Sequence, residues 1–281
     1  MKSYIKHPIK KAQTIAVLML LSSTSHATTG YDLTTIGVVG LYNKIGTVTD
    51  TGYVTSSAAA FNGTSYGSST DVKAWVYYGS TTYIVGLVNS DFSGNILYRS
   101  NYITNINNSG TTLGTTQVDT STGARKNTTW LYDGVNTTKI GLTGENYIGT
   151  TGNQGSYASR LNNMGQVAGS SSFYNGSKNS QGITAWIYDG NITKEIGLTE
   201  GIYIRSLGSR SSASYAINDA GHAGQAERFD VITPSYLSLT GSSAWIYDGN
   251  ETKEIGLTGS SFTYSNTGYK KNTATAIMKQ A

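Results

Sequence analysis

The sequence predicts an all-β protein built from repeated four-stranded antiparallel units of about 56 residues. The units are expected to be arranged like the blades of a β-propeller, in a complete or an incomplete ring. Four tryptophans recur at nearly constant spacing, as in proteins that stack copies of one supersecondary unit. The composition includes 34 glycines and 21 tyrosines, and only one proline, Pro234, follows residue 27. Such a composition favours short strands and tight turns over helices.

The repeat itself has three fixed columns, and successive tryptophans are 55, 56 and 59 residues apart. The tryptophans are Trp75, Trp130, Trp186 and Trp245. A β-branched–Gly–Leu triplet follows each of them by ten residues, with its glycine at Gly86, Gly141, Gly197 and Gly256. In the first three units an asparagine comes later, at Asn107, Asn162 and Asn218. We predict that these residues serve the repeat structurally and that the tryptophans are buried in equivalent positions.

The third copy shows how one unit is expected to fold. Its predicted strands cover residues 156–161, 166–173, 184–188 and 194–198. Asn162 begins a turn that Gly165 ends, and Asp189-Gly190 is a hairpin signal. The third strand carries large apolar residues at successive positions, hence on both faces, which indicates sheets packed against both sides of it.

The first 27 residues have the pattern of a secretory signal peptide. A lysine-rich start precedes a short apolar run and small residues that end at Ala27. We therefore predict cleavage after Ala27, a secreted or cell-surface location, and one repeat domain over residues 28–281. No later segment approaches the length of a transmembrane span.

Charge and cysteine content exclude several function classes. The chain has 20 Lys+Arg against 16 Asp+Glu, but four of the lysines lie in the leader, so the mature chain has 16 of each. A neutral chain lacks the surplus cations of a nucleic-acid binder and gives no reason to expect an anionic membrane as partner. With no cysteine in the chain, thiolate catalysis and Cys-ligated metals are excluded.

Both ends of the chain carry partial units. Residues 31–66 resemble half a unit, with Thr49 where asparagine is expected, and residues 275–277 resemble 215–217. The two halves would complete one blade if the ring closes, a common way to hide sheet edges. Alternatively, the gene is interrupted, because the last four residues abandon the pattern. The abrupt ending favours interruption.

The Ala-Trp-Ile-Tyr-Asp-Gly-Asn segment, the Ile-Gly-Leu triplet and the later Ile-Asn-x-x-Gly resemble the HAF-type extracellular repeat family of bacteria. The resemblance covers roughly residues 40–281 and is best in the third and fourth units. Some members of that family have a PEP-CTERM sorting tail, which is not seen here, and Ala-Trp stands where His-Ala-Phe is typical. The resemblance implies an exported, propeller-like protein and transfers no catalytic residue.

The candidates for function are residues that break the repeat. His222 is the only histidine after the leader, so a multi-histidine metal site is excluded. The fourth unit has a longer loop, and the candidate binding residues in and before it are Arg205, Arg210, His222, Glu227, Arg228 and Asp230. No cofactor and no metal is expected, and no residue is assigned as catalytic.

Two functions from different classes remain open. The first is an exported non-enzymatic protein, either structural or binding a glycan or a matrix component through tyrosine- and asparagine-rich loops. The second is a carbohydrate-active hydrolase or lyase on a propeller, which needs two carboxyl groups within roughly 10 Å. The acids available for it are Glu145, Glu200, Glu227 and Asp230.

The leader assignment makes a prediction about charge. Because the surplus lysines all lie in residues 1–27, the mature protein should focus near neutral pH. Isoelectric focusing of protein purified from the exporting host measures this directly. A mature protein that still focuses at clearly basic pH would contradict the assignment.

Overall fold

The computed structural model describes residues 17–19, 33–38, 42–59, 71–92, 94–205, 208–219, 221–228, 241–257, 259–263 and 269–274. Of the predicted signal peptide, only Val17–Met19 belongs to these ranges, and the cleavage site lies outside them. In the described ranges, none of the helices is long and apolar enough to cross a membrane.

Eighteen strands and four 3₁₀ helices form in the described ranges. In chain order the strands are β1 (Val17–Met19), β2 (Leu33–Thr35), β3 (Tyr42–Val48), β4 (Val54–Ala59), β5 (Asp71–Tyr77), β6 (Thr82–Val85), β7 (Ile96–Ile106), β8 (Thr112–Thr120), β9 (Arg125–Tyr132), β10 (Thr137–Ile140), β11 (Gln154–Leu161), β12 (Val167–Ser172), β13 (Gly182–Tyr188), β14 (Thr193–Glu195), β15 (Arg210–Asn218), β16 (Gly221–Arg228), β17 (Gly241–Tyr247) and β18 (Thr252–Ile255). The 3₁₀ helices are η1 (Asn89–Asp91), η2 (Glu145–Tyr147), η3 (Gly201–Tyr203) and η4 (Ser260–Phe262). The all-β class is confirmed.

Strands β3 to β18 form four antiparallel meanders of four strands each, which we call the first to fourth units. Between units, the third strand of one pairs in parallel with the first strand of the next, through two residue pairs at each junction. These short parallel ladders join all sixteen strands into one mixed sheet. The units are therefore hydrogen-bonded to each other as well as packed, and the part of the chain that the structure describes shows no closed ring.

The four tryptophans lie on the third strands of the four units, and every one is fully buried. Three of them face a glycine on the neighbouring second strand, at Gly114, Gly169 and Gly224. A Cβ atom on Gly114 would lie only 2.1 Å from Cζ2 of Trp130, and the other two glycines leave almost as little space. In these three units the indole therefore leaves room only for glycine opposite it, a constraint that the tryptophan spacing alone did not indicate, whereas in the first unit Trp75 pairs with Ser56.

Each tryptophan also packs against the preceding unit. Trp186 and Tyr188 of the third unit share an apolar cluster with Leu131, Ile140 and Leu142 of the second unit. The same arrangement places Trp130 on the first unit and Trp245 on the third. These clusters hold consecutive units face to face.

The tryptophan of the first unit also packs against a segment that precedes its own unit. Trp75 packs against Ile36 and Val38, which flank Gly37. This Ile-Gly-Val segment takes the place that a β-branched–Gly–Leu triplet takes elsewhere, so the repeat pattern begins before the first complete unit.

The fourth strands end at or just before the first residue of each triplet, so the glycine and the leucine lie outside them, in contrast to the expected strand over residues 194–198. In the third unit β14 ends at Glu195, because Gly197 has φ +99°, which bends the chain out of the sheet. The Gly197 N–H then donates to Oγ1 of Thr252 in the next unit, at 3.1 Å. Gly141 donates to Thr193 in the same way. The bend thus brings the triplet glycine into hydrogen-bonding contact with the next unit.

The asparagine column forms a second line of contacts between units. Asn107 Nδ2 donates to the Asn162 carbonyl at 3.0 Å, and Asn162 Nδ2 donates to the Asn218 carbonyl at 3.2 Å. Oδ1 of Asn162 accepts the backbone N–H groups of Met164 and Gln166, which closes the predicted Asx-turn. Asn107 and Asn162 therefore each shape their own turn and tie it to the next one.

The fourth unit exposes apolar residues at positions that are buried in the second unit. Leu257 and Phe262 are 59% and 51% exposed, whereas Leu142 and Tyr147, their equivalents in the second unit, are buried. An isolated parallel bridge between Ser242 and Lys271 has the register of the earlier junctions. The partial unit expected at residues 275–277 lies outside the described residues.

The tryptophan column predicts a large effect of truncation. Trp186→Ala should lower the free energy of unfolding by about 3–5 kcal/mol, because it leaves a cavity between two units. Trp186→Phe should cost less, because the indole N–H has no hydrogen-bond partner among the described residues. Equilibrium urea unfolding measures both variants.

Met164→Ala, at an exposed position in the same unit, is the control and should change stability by about 0.5 kcal/mol or less. A Trp186→Ala variant no less stable than this control would contradict the packing described for the column.

Candidate functional site

The structure distributes the candidate binding residues over several places. His222, Glu227 and Arg228 lie on β16, and the structure describes their backbone but not their side chains. His222 and Glu227 are five positions apart on an extended strand, roughly 16 Å, so they do not form one close pair. Asp230 lies outside the described residues. Arg205 is exposed in the turn before β15, and its backbone N–H donates to Ser209.

His222 differs from its expected place in the repeat. The sequence aligns it with Thr111 and Gln166, which precede the second strands of their units. In the structure it pairs with Tyr247, as Val167 pairs with Tyr188 in the third unit. The turn of the fourth unit is one residue shorter, which moves His222 into the strand.

Arg210 is held in a cluster of charged and aromatic groups between units. Its Nη2 lies 3.0 Å from Oε1 of Glu195 and donates to the Tyr147 hydroxyl at 3.2 Å. The Tyr147 hydroxyl donates to Oε2 of Glu195 at 2.5 Å. The guanidinium also lies over the ring of Phe173, 4.1 Å from its centroid. Within this set Arg210 Nη2, the Tyr147 hydroxyl and both Glu195 oxygens have partners, whereas Arg210 Nε is buried without one among the described residues.

The cluster recurs one unit later, which indicates a structural role. Lys270 pairs with Glu254 at 2.8 Å, and Ser243 donates to the same carboxylate at 2.7 Å. Partial burial acts to raise the pKa of Glu254, but hydrogen bonds from Lys270 and Ser243 outweigh it and lower that pKa. The ion pair at the junction of the third and fourth units thus has an equivalent after the fourth unit, and such pairs fix neighbouring segments against each other, so Arg210 belongs to the scaffold.

The acids that precede the hairpin glycines are turn residues, as the sequence predicts. Asp189 Oδ1 accepts two backbone N–H groups, and its Oδ2 binds Lys194 at 2.8 Å. These contacts, first of all the Ile192 N–H, lower the pKa of Asp189 to about 2. Asp248 has the same arrangement with Lys253.

A cavity lined by three tyrosines lies between the turns of the first and second units, and its volume is about 300 Å³. We call it the tyrosine pocket. Its lining residues are Tyr53, Tyr78, Tyr83, Ser109, Gly110, Asp133 and Gly134.

In the tyrosine pocket, the ring of Tyr78 contacts the other two rings. Tyr53 and Tyr78 meet edge to face, with centroids 5.1 Å apart and planes at 81°. Tyr83 lies 5.9 Å from Tyr78. The Tyr78 hydroxyl donates to the Gly110 carbonyl at 2.8 Å, which fixes its ring against the turn of the second unit. The rings therefore form adjoining walls, of which Tyr83 is the most exposed.

Two of these tyrosines occupy positions where other units carry charges. Tyr78 stands at the turn position of Asp189 and Asp248, and Tyr83 stands at the position of Lys194 and Lys253. The salt bridge of the later units is thus replaced by a pair of aromatic rings. Aligning the four units on their tryptophans would have revealed this change from the sequence.

Asp133, from the second unit, supplies the charge in the pocket. Its Oδ1 accepts the N–H groups of Asn136 and Val135, and these bonds lower its pKa. At the position of the pairing lysine the second unit has Thr138. In the described part of the chain, Asp133 has no cation partner, whereas Asp189 has one.

Comparisons with known proteins leave the family open. No protein-family model matches the chain, and no curated protein matches it in sequence. A solved structure described as a thermostable family-43 glycoside hydrolase is similar at a TM-score of 0.31. It is 7% identical over 79% of this chain and 74% of that chain. A likeness at this level carries no argument about activity.

One buried tyrosine and one half-buried tyrosine predict that the protein loses stability at alkaline pH. Burial is the main cause that raises the pKa values of Tyr78 and Tyr147 to about 12, from about 10 in an unfolded chain. The folded state therefore holds these protons more tightly. Their contribution to stability is complete below about pH 10 and is lost as pH rises towards about 12.

The Tyr78→Phe/Tyr147→Phe variant should show a shallower fall in unfolding free energy over that range than the wild type. Urea unfolding at several pH values measures it, and the phenolate absorbance of the native protein gives an independent titration. Equal slopes for the two proteins would contradict the assignment.

Proposed function

We propose that this chain is an exported, non-enzymatic repeat protein that binds a glycan in the tyrosine pocket. The observation that carries the proposal is the replacement of a repeated salt bridge by Tyr78 and Tyr83 beside a cavity. Tyrosine faces stack on sugar rings, and Ser109 and Asp133 can accept hydrogen bonds from sugar hydroxyls. A cavity of about 300 Å³ is at the lower end of ligand sites and fits one sugar residue of a longer chain.

The scaffold that we propose is propeller-like, with each meander as one blade. Four equivalent units, tryptophans packed between neighbouring units and a partial unit at Ile36-Gly37-Val38 support it. Export is supported by the basic, apolar and small-residue order of residues 1–27. The relation to the HAF-type repeats remains part of this proposal.

The described acids favour binding over hydrolysis. A glycoside hydrolase needs a general acid whose pKa is raised. Among the described residues, every carboxyl group with a shifted pKa has it lowered. Of the four acids available to the hydrolase alternative, Glu145 and Glu200 are exposed, while the Glu227 side chain and all of Asp230 lie outside the described part.

Glycan-array binding of the mature protein tests the proposal. The wild type should bind at least one class of oligosaccharide, and Tyr83→Ala should weaken that binding by about tenfold or more, since it removes the exposed wall. Tyr157→Ala is the matched control, because Tyr157 is exposed to a similar extent away from the pocket, and it should bind as the wild type does.

Chromatography of the bound oligosaccharide after long incubation should show it intact. Cleavage products would overturn the non-enzymatic assignment. Absence of binding to every glycan, or equal loss in the two variants, would overturn the assignment of the pocket.

A further inference from the structure

We infer that the tyrosine pocket selects an ammonium group, carried by an amino sugar with a free amine or by a quaternary ammonium compound. The inference rests on the proposed binding function and specifies its ligand. It follows from the aromatic walls of the pocket, from the carboxylate of Asp133, and from the lysines that the equivalent aspartates bind in the third and fourth units.

The walls favour a cation. The face of an aromatic ring is electron-rich and attracts ammonium groups, and rings set at steep angles to one another surround such a group on several sides. Tyr53 and Tyr78 are nearly perpendicular, and Tyr83 is tilted by 56° from Tyr78. Among the described residues that line this pocket, none is a lysine, an arginine or a histidine.

Of the lining residues that the structure describes, Asp133 is the one that carries a charge. A carboxylate beside tyrosine faces disfavours an anionic ligand and attracts a cation. Because Oδ1 is used by the turn, Oδ2 is the oxygen left for a ligand.

The third and fourth units show what the equivalent aspartate oxygen binds. Oδ2 of Asp189 binds the ammonium group of Lys194, and Oδ2 of Asp248 binds that of Lys253, each at 2.8 Å. In the second unit the lysine is replaced by threonine, and the adjoining pocket wall is aromatic. A ligand ammonium group at Asp133 would therefore take the place that a lysine takes in the third and fourth units.

Calorimetric titration of the full mature chain with two isosteric probes tests the inference. Choline carries the charge, and 3,3-dimethylbutan-1-ol has the same shape with carbon in place of the nitrogen. Choline should bind about tenfold or more tightly than the neutral alcohol. Equal binding of the two probes would overturn the inference.

The variant Asp133→Asn removes the charge but keeps the Oδ1 acceptor that the turn needs. It should lose choline binding by about tenfold or more, while the matched control Asp189→Asn should retain it. Thermal unfolding confirms that both variants fold. Unchanged choline binding in Asp133→Asn would also overturn the inference.

Oligomers of glucosamine and N-acetylglucosamine separate the two sources of the ammonium group and the two proposals. Preference for the free amine, lost in Asp133→Asn, supports an amino sugar, and binding of choline alone supports a quaternary ammonium ligand. If the acetylated oligomer binds as well as the amine and Asp133→Asn is without effect, the ammonium inference fails while the glycan-binding function stands. If no glycan of the array binds but choline does, the glycan proposal fails while the ammonium inference stands.

Discussion

The packing of a tryptophan between two units is the interaction on which the rest of this structure depends. Within its own unit, each indole lies over a glycine or, in the first unit, a serine. It also packs against apolar residues that precede its unit. A four-stranded meander has two faces to bury, and a single unit cannot bury both. Stacking against neighbours solves this problem, so each unit is stable only as part of the series.

Polar contacts set the register of that stack. The triplet glycines bind threonines of the next unit, the asparagines connect successive turns, and ion pairs such as Arg210 with Glu195 cross the junctions. Because hydrogen bonds are directional, these contacts fix how far one unit can slide or rotate over another. Equivalent turns are consequently held at the same level, and side chains from two units can share one pocket.

Positions that differ between the units are candidates for function, whereas positions that are the same in all units build the scaffold. At the hairpin turns, the third and fourth units use an aspartate–lysine pair, while the first uses two tyrosines and the second leaves Asp133 without a lysine. All four tryptophans are fully buried despite these changes, and Tyr78 itself packs against the core cluster that holds Trp130. A position that can change while the tryptophans stay buried is free to acquire a binding role.

The sequence by itself determined the features that arise from local chemistry. The unit period, the tryptophan column, the hairpin glycines and the Asx-turn at Asn162 all follow from residue types and spacing within one unit. The tertiary structure alone decided the parallel pairing between units, the bend at Gly197, the register of His222 and the tyrosine pocket. The physical reason is distance along the chain. These features depend on contacts between residues in different strands or units, where turn length and packing outweigh any local preference.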